Sequence, residues 1–185
     1  MRIIAGKYRH RKIASLPGDA TRPMLDRMRE TLFNVLQGRI EGRIVADLYA
    51  GTGAVGLEAL SRSAARAIFV EVNPRAADVI RKNVADLAAE KDVEIRMTTV
   101  EQVLPKIEAD VYFVTPPYPD VKAYETTLTA LAQKDHELVV VQHDRDLELL
   151  DAYGDMEKFR VVPVGSNRLS LYQRVNHTEP VTSPE

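Results

Sequence analysis

From Met24 to Gln37 the apolar residues Met24, Leu25, Met28, Leu32, Val35 and Leu36 recur at three- and four-residue steps. That spacing predicts an amphipathic helix, closed by Gly38 just past its end. After Gly42 the pattern changes to apolar runs alternating with helical periods. Residues 44–49, 67–71, 93–97, 110–114 and 137–141 read as strands, and helices are predicted over 54–62, from Pro74 to about 89, and over 124–133. Pro74 occupies a favourable first-turn position. A short helix is predicted around 146–153, before two closing strands at 159–164 and 169–174. Only Gly165-Ser166-Asn167 separates that last pair, and so short a connection permits only antiparallel pairing. Five β/α units followed by a hairpin predict an α/β fold: a doubly wound, Rossmann-like sheet with its last strand antiparallel. Ahead of it, Arg2–Gly6 and Arg11–Ala14 flank Lys7-Tyr8-Arg9-His10 as a small β-hairpin, stopped at Pro17-Gly18-Asp19. The organisation expected is therefore an N-terminal hairpin extension (1–20), one α/β domain (21–175), and a polar, disordered tail (176–185).

A length of 185 residues suits one such domain with a full core. No apolar run approaches the roughly 18–20 residues of a membrane span, and the start lacks the apolar stretch of a signal peptide. With no cysteine there is no disulfide framework, thiolate metal site or cysteine nucleophile, and a cytoplasmic location is the default expectation. The formal charge of −2 is unevenly spread. Residues 1–43 carry ten Lys/Arg against four acids, leaving fifteen against twenty-three for the remainder, so a basic segment leads an acidic body. Such a distribution fits a localised anionic partner as well as a solvated basic surface.

The chemistry concentrates at strand ends. Asp47-Leu48-Tyr49-Ala50-Gly51-Thr52-Gly53-Ala54-Val55-Gly56 places a G-x-G-x-x-G between a strand and a helix, the context that gives this motif meaning. Gly51 and Gly53 allow a tight turn and close ligand approach, and Gly56 allows close helix–strand packing. Glu71 ends the next strand twenty residues after Gly51, where an acid accepts hydrogen bonds from ribose hydroxyls. Dinucleotides and S-adenosyl-L-methionine share this geometry. Thr115-Pro116-Pro117-Tyr118, at the end of the fourth strand, favours the second. The lone pair of an exocyclic base amine is delocalised into the ring, so the amine is a poor nucleophile. Acceptors aimed at its hydrogens turn the lone pair toward a methyl donor. The side chain before a Pro-Pro turn and the turn's carbonyl supply them, while the aromatic stacks on a base taken out of its helix.

Three stretches carry a family resemblance: Ile4–Arg9; Thr21-Arg22-Pro23 leading into Asp26–Asn34; and Asp47–Gly53 with Gly56–Arg62. On these the chain resembles the RsmD family of bacterial 16S ribosomal RNA guanine-N2 methyltransferases, over almost its whole length. The resemblance implies a seven-stranded methyltransferase sheet, S-adenosyl-L-methionine as donor, and a guanosine of small-subunit ribosomal RNA, within the subunit or an assembly intermediate, as substrate. Its implied donor-site residues are Asp47, Tyr49, Gly51, Gly53, Gly56, Glu71 and Thr99. Thr115, Pro116, Pro117 and Tyr118 would be catalytic. Lys7, Arg9, Arg11, Lys12 and Arg22 would contact RNA; no metal is needed, and a monomer is expected. Two positions depart from the family pattern. Thr115 stands where an acid precedes the prolines, which implies slower transfer. Thr99 stands where Asp or Asn faces the adenine, which implies weaker donor binding.

Two other readings fit the same residues: a catalytically impaired RNA-binding assembly factor, motivated by Thr115, and an N-methyltransferase acting on another amino group. His136 and His143 flank a strand aimed at the ligand edge, lack metal-ligand spacing, and read as structural. Asp26 with Arg29 and Glu30 with Arg27 read as surface charge pairs on a helix.

Overall fold

The computed structural model describes residues 1–16, 23–117 and 120–175, with side chains from 26 onward in the first helix. The expected tail at 176–185, and Pro17-Gly18-Asp19, lie outside the described residues. Helix α1 (Pro23–Val35) precedes β1 (Ile44–Leu48), α2 (Ala54–Ser61), β2 (Arg66–Val70), α3 (Pro74–Asp86) and β3 (Val93–Arg96). There follow α4 (Val100–Val103), β4 (Val111–Val114), α5 (Val121–Leu131), β5 (Leu138–Asp144), β6 (Ala152–Tyr153), β7 (Met156–Val164) and β8 (Asn167–Arg174). All eight strands form one sheet in the order β3-β2-β1-β4-β5-β8-β7-β6. Strands β1 to β5 are parallel, β8 runs antiparallel to β5, and β7 antiparallel to β8.

The continuous apolar runs of the central strands follow from burial on both faces. Val45, Phe69, Phe113 and Val140 face a layer of α1, α2, α3 and the N-terminal residues, through Met28, Leu32, Leu57, Leu60 and Ile80. Ala46, Val70, Tyr112, Val114 and Val141 face the other layer, through Val103, Tyr124, Leu128 and Leu131. Helix–sheet–helix layering therefore leaves the strand ends, rather than the strand faces, free for ligands. No helix among the described residues is long and apolar enough to cross a membrane.

The helix expected around 146–153 does not form. Asp144 bonds the backbone N–H of Asp146 through its side chain at 2.8 Å, turning the chain locally. Lys158 Nζ then donates to the carbonyl of Leu149, which a helix would have kept for Tyr153 N–H, and Tyr172 OH donates to that of Leu150. The segment instead ends in the two-residue β6, which makes eight strands where the resemblance implied seven. Helix α4 was not anticipated, although Thr99 and Gln102 have capping-box spacing.

The N-terminal residues form less sheet than expected and more anchorage. A single antiparallel bridge joins Arg2 to Lys12. Ile3 and Ile13 are buried in the main core, and the segment lies against α2. Glu58, fully buried on α2, accepts from the backbone N–H of Ile4 at 2.8 Å and of Ala5 at 3.0 Å. Approach is so close that a Cβ on Gly6, whose φ is +82°, would lie 1.7 Å from the carbonyl oxygen of Ser61. Arg29 is also buried, which corrects its reading as a surface pair. It bonds Asp26 at 3.1 Å, but its guanidinium also reaches the Arg2 carbonyl at 2.5 Å and lies 3.8 Å from Glu58. Burial lowers its pKa, opposed by Glu58 and Asp26. No ion pair between Arg27 and Glu30 is present among the described residues.

Candidate active site at the strand ends

At the carboxyl ends of β1, β2 and β4 a cavity of about 380 Å³ is lined by Tyr49, Gly51, Glu71, Thr99, Thr115 and Pro117, among others. A second, of about 300 Å³, lies toward α1 and includes Met28, Arg29, Asp47, Thr115 and Gln142 in its wall. The two share Gly51 and Thr115, so groups held on either side meet across those residues.

The glycine turn is tied down from both strands. The Glu71 carboxylate accepts from Gly51 N at 2.7 Å and Asn73 N at 2.8 Å. Asp47 accepts from Gly56 N at 2.9 Å. Asp47 is buried, and desolvation pushes its carboxyl up to about 7, against the Gly56 hydrogen bond and reinforced by the charge of Glu71. A Cβ on Gly56 would lie 2.3 Å from the Phe69 ring, whereas one on Gly51 would meet nothing within 4 Å. One glycine therefore seats α2 on the sheet, and the other leaves backbone open for a ligand. Gly53 starts α2 in a left-handed conformation and lines neither cavity. Tyr49 is fixed by a 2.8 Å hydrogen bond to Thr127, and burial raises its pKa.

Other expected residues are placed differently. The Thr99 hydroxyl caps α4, accepting from Gln102 N at 3.4 Å while the residue lines the first cavity. Thr115 Oγ1 lies 3.5 Å from the Leu48 carbonyl, a loose contact that leaves the hydroxyl available. Pro116 is buried and Pro117 exposed; Tyr118 lies outside the described residues, as does Arg22. Lys7 pairs with Asp92 at 3.7 Å and sits 4.8 Å over the Tyr8 ring. Arg11 donates to the Asp86 carbonyl, and Arg9 and Lys12 are exposed. His143 is fixed by Ser170 and the Asp144 carbonyl. His136, just before β5, lies at the amino ends of the central strands, away from the ligand cavities. Nothing in the local sequence marks Gln142 or the burial of Arg29 with Glu58, whereas Thr99 carries capping-box spacing with Gln102.

The family model described as conserved hypothetical protein 95 matches residues 1–173. The chain belongs to this family. It is 32% identical over 179 residues to ribosomal RNA small subunit methyltransferase D of Escherichia coli K12, covering 94% of this chain and 90% of that one. To the protein of the same name in Haemophilus influenzae it is 33% identical over 159 residues, covering 81% and 82%. The solved structure of a hypothetical protein of Thermus thermophilus superposes with a TM-score of 0.76 at 31% identity, covering 92% and 98%. With that membership and this strand-end cavity, the chain is a methyltransferase, for which the sequence leads to S-adenosyl-L-methionine as the expected donor. The residues present fit that donor: open backbone at Gly51, an acid at the end of β2, and an apolar wall from Val70 and Val72.

Proposed function

We propose that the chain methylates the N2 amine of a guanosine in small-subunit (16S) ribosomal RNA, in the cytoplasm, on the subunit or its assembly intermediate. The observation that carries this reading is the junction of two cavities at Thr115, one suited to the donor and one open to a base. When bound, S-adenosyl-L-methionine supplies a methyl group on an already activated sulfonium. Glu71 would hold the ribose hydroxyls, and Gly51 would let the backbone approach. Asp47, Tyr49, Gly53 and Gly56 would shape the turn around them, with Thr99 at the adenine end. Thr115 Oγ1 and the Pro116 carbonyl would each accept from the amine, turning its lone pair toward the donor. An uncharged hydroxyl cannot hold the proton released on transfer, so that proton leaves to water. Pro117 would stiffen the turn and Tyr118 stack on the base, while Arg9, Lys12 and Arg22, with Lys7 and Arg11, would meet phosphates.

The test is label transfer from tritiated donor to small-subunit particles purified from cells lacking the endogenous enzyme. N2-methylguanosine is the expected product; label in another nucleoside, or none while calorimetry shows bound donor, overturns the reading. Thr115→Asp should raise turnover roughly tenfold or more if the hydroxyl is the weaker acceptor, since one positioned partner commonly accounts for about 10²–10³ in rate. An inactive parent revived by Thr115→Asp would instead identify an RNA-binding relative that has lost catalysis.

A further inference from the structure

We infer that Gln142 reads the edge of the target base beside its reacting amine, and so sets the preference for guanine; this rests on the proposed guanine-N2 reaction. Gln142 lies in β5, one strand from the Pro-Pro turn. The register pairs Val114 with Val141, so the next step along both strands sets Thr115 beside Gln142. Neighbouring strands lie about 4.8 Å apart, which places a carboxamide within one ring's width of the Thr115 hydroxyl. Alternation along β5 puts Gln142 on the face of Leu138 and Val140, toward α1, and it lines the second cavity together with Thr115.

The strand-borne polar groups of that cavity differ in their engagements. Asp47 is bonded by Gly56 N, and Thr115 leans on the Leu48 carbonyl. Gln142 is anchored through its backbone, whose carbonyl accepts from Tyr124 OH at 3.0 Å, while its carboxamide has no hydrogen-bond partner among the described residues. A half-buried amide held on a rigid strand and left without a partner is poised for a ligand. In guanine the amine at C2 is flanked by N1–H, a donor, whereas the amine of adenine is flanked by N1, an acceptor. Oε1 of Gln142 therefore accepts from guanine N1–H while Thr115 and Pro116 hold the amine. An adenine in that position would confront Oε1 with a lone pair and could be met only by turning the carboxamide over so that Nε2 donates, a rearrangement that the acceptor-only Gln142→Glu cannot make. A site built to hydrogen-bond such a group rejects a base lacking it more strongly than an apolar pocket would.

Saturation-transfer NMR of the full chain, filled with S-adenosylhomocysteine, tests this without methyl transfer. The parent should bind guanosine monophosphate roughly ten- to a hundredfold more tightly than adenosine or 1-methylguanosine monophosphate, the range of one good base-edge contact. Gln142→Leu should bind all three alike, and Gln142→Glu, which keeps an acceptor, should retain the preference. Donor affinity should be equal in all three proteins, as Gln142 is outside the first cavity. On ribosomal particles Gln142→Leu should lower kcat/KM by a similar factor. A parent without discrimination, or a Gln142→Leu variant that discriminates like the parent, overturns the inference. Discrimination without N2-methylguanosine formation overturns the proposed reaction and leaves the role of Gln142 standing.

Discussion

The two sides of the strand-end site are built differently. On the β1–α2 side every acid is engaged by backbone: Glu71 by Gly51 and Asn73, Asp47 by Gly56. On the β4–β5 side, among the described residues, Thr115 makes one 3.5 Å contact and the Gln142 carboxamide makes none. The first side is organised before anything binds, and its hydrogen bonds lock the shape of a turn. The second leaves its hydrogen-bonding capacity for a substrate that brings its own donors. A common donor can be met by a fixed mould, whereas a base drawn out of folded RNA is met by groups still free to pair.

The largest effect that would break this contrast is expected at Gly56. Gly56→Val drives a side chain into Phe69 and should destabilise the fold by more than the about 1–3 kcal/mol of ordinary overpacking. Urea unfolding measures it, and an unchanged midpoint would show that the β1–α2 side tolerates repacking after all. Next in size, Glu71→Ala should weaken donor binding about 10–100-fold, the loss of a charge-assisted hydrogen bond of about 1.5–3 kcal/mol. Calorimetry with the donor reads this, and KM for RNA should not move. A further test is a pH dependence. The folded chain holds the Asp47 proton up to about pH 7, whereas an unfolded aspartate releases it near pH 4. The folded state thus binds more protons between these limits, so this component of stability falls as pH rises from about 4 to about 7 and is constant above. Asp47→Asn should gain stability relative to the parent across that window alone, and a flat difference in unfolding free energy from pH 4 to 8 would refute it.

Legibility in the sequence follows the same division. The glycine turn, the acid at the end of β2 and the Pro-Pro turn each declare themselves within a few residues, because a tight turn or rigid strand end is local chemistry. The parallel order of the sheet follows from long apolar runs between helical periods. By contrast, Glu58 looks like an ordinary helix acid paired with Arg62, yet the N–H groups of Ile4 and Ala5 that it also holds lie more than fifty positions earlier. Arg29 has the spacing of a surface pair with Asp26, and only its burial against the N-terminal residues shows otherwise. Gln142 sits in an apolar run with nothing beside it in sequence to mark it, since its neighbour Thr115 arrives through the β4–β5 register. The false helix at 146–153 arose because Lys158 and Tyr172, from later strands, take the carbonyls of Leu149 and Leu150.

The Glu58 contact also orders events in time. Ile4 and Ala5 precede Glu58 by more than fifty positions, so their N–H groups cannot reach this acceptor until α2 exists. Docking them closes a loop of about fifty residues, whose entropic cost is met once the intervening strand and helices are packed. Met1 and Ser15 thus take their places in the wall of the base-facing cavity only against a sheet and helices that the intervening residues supply.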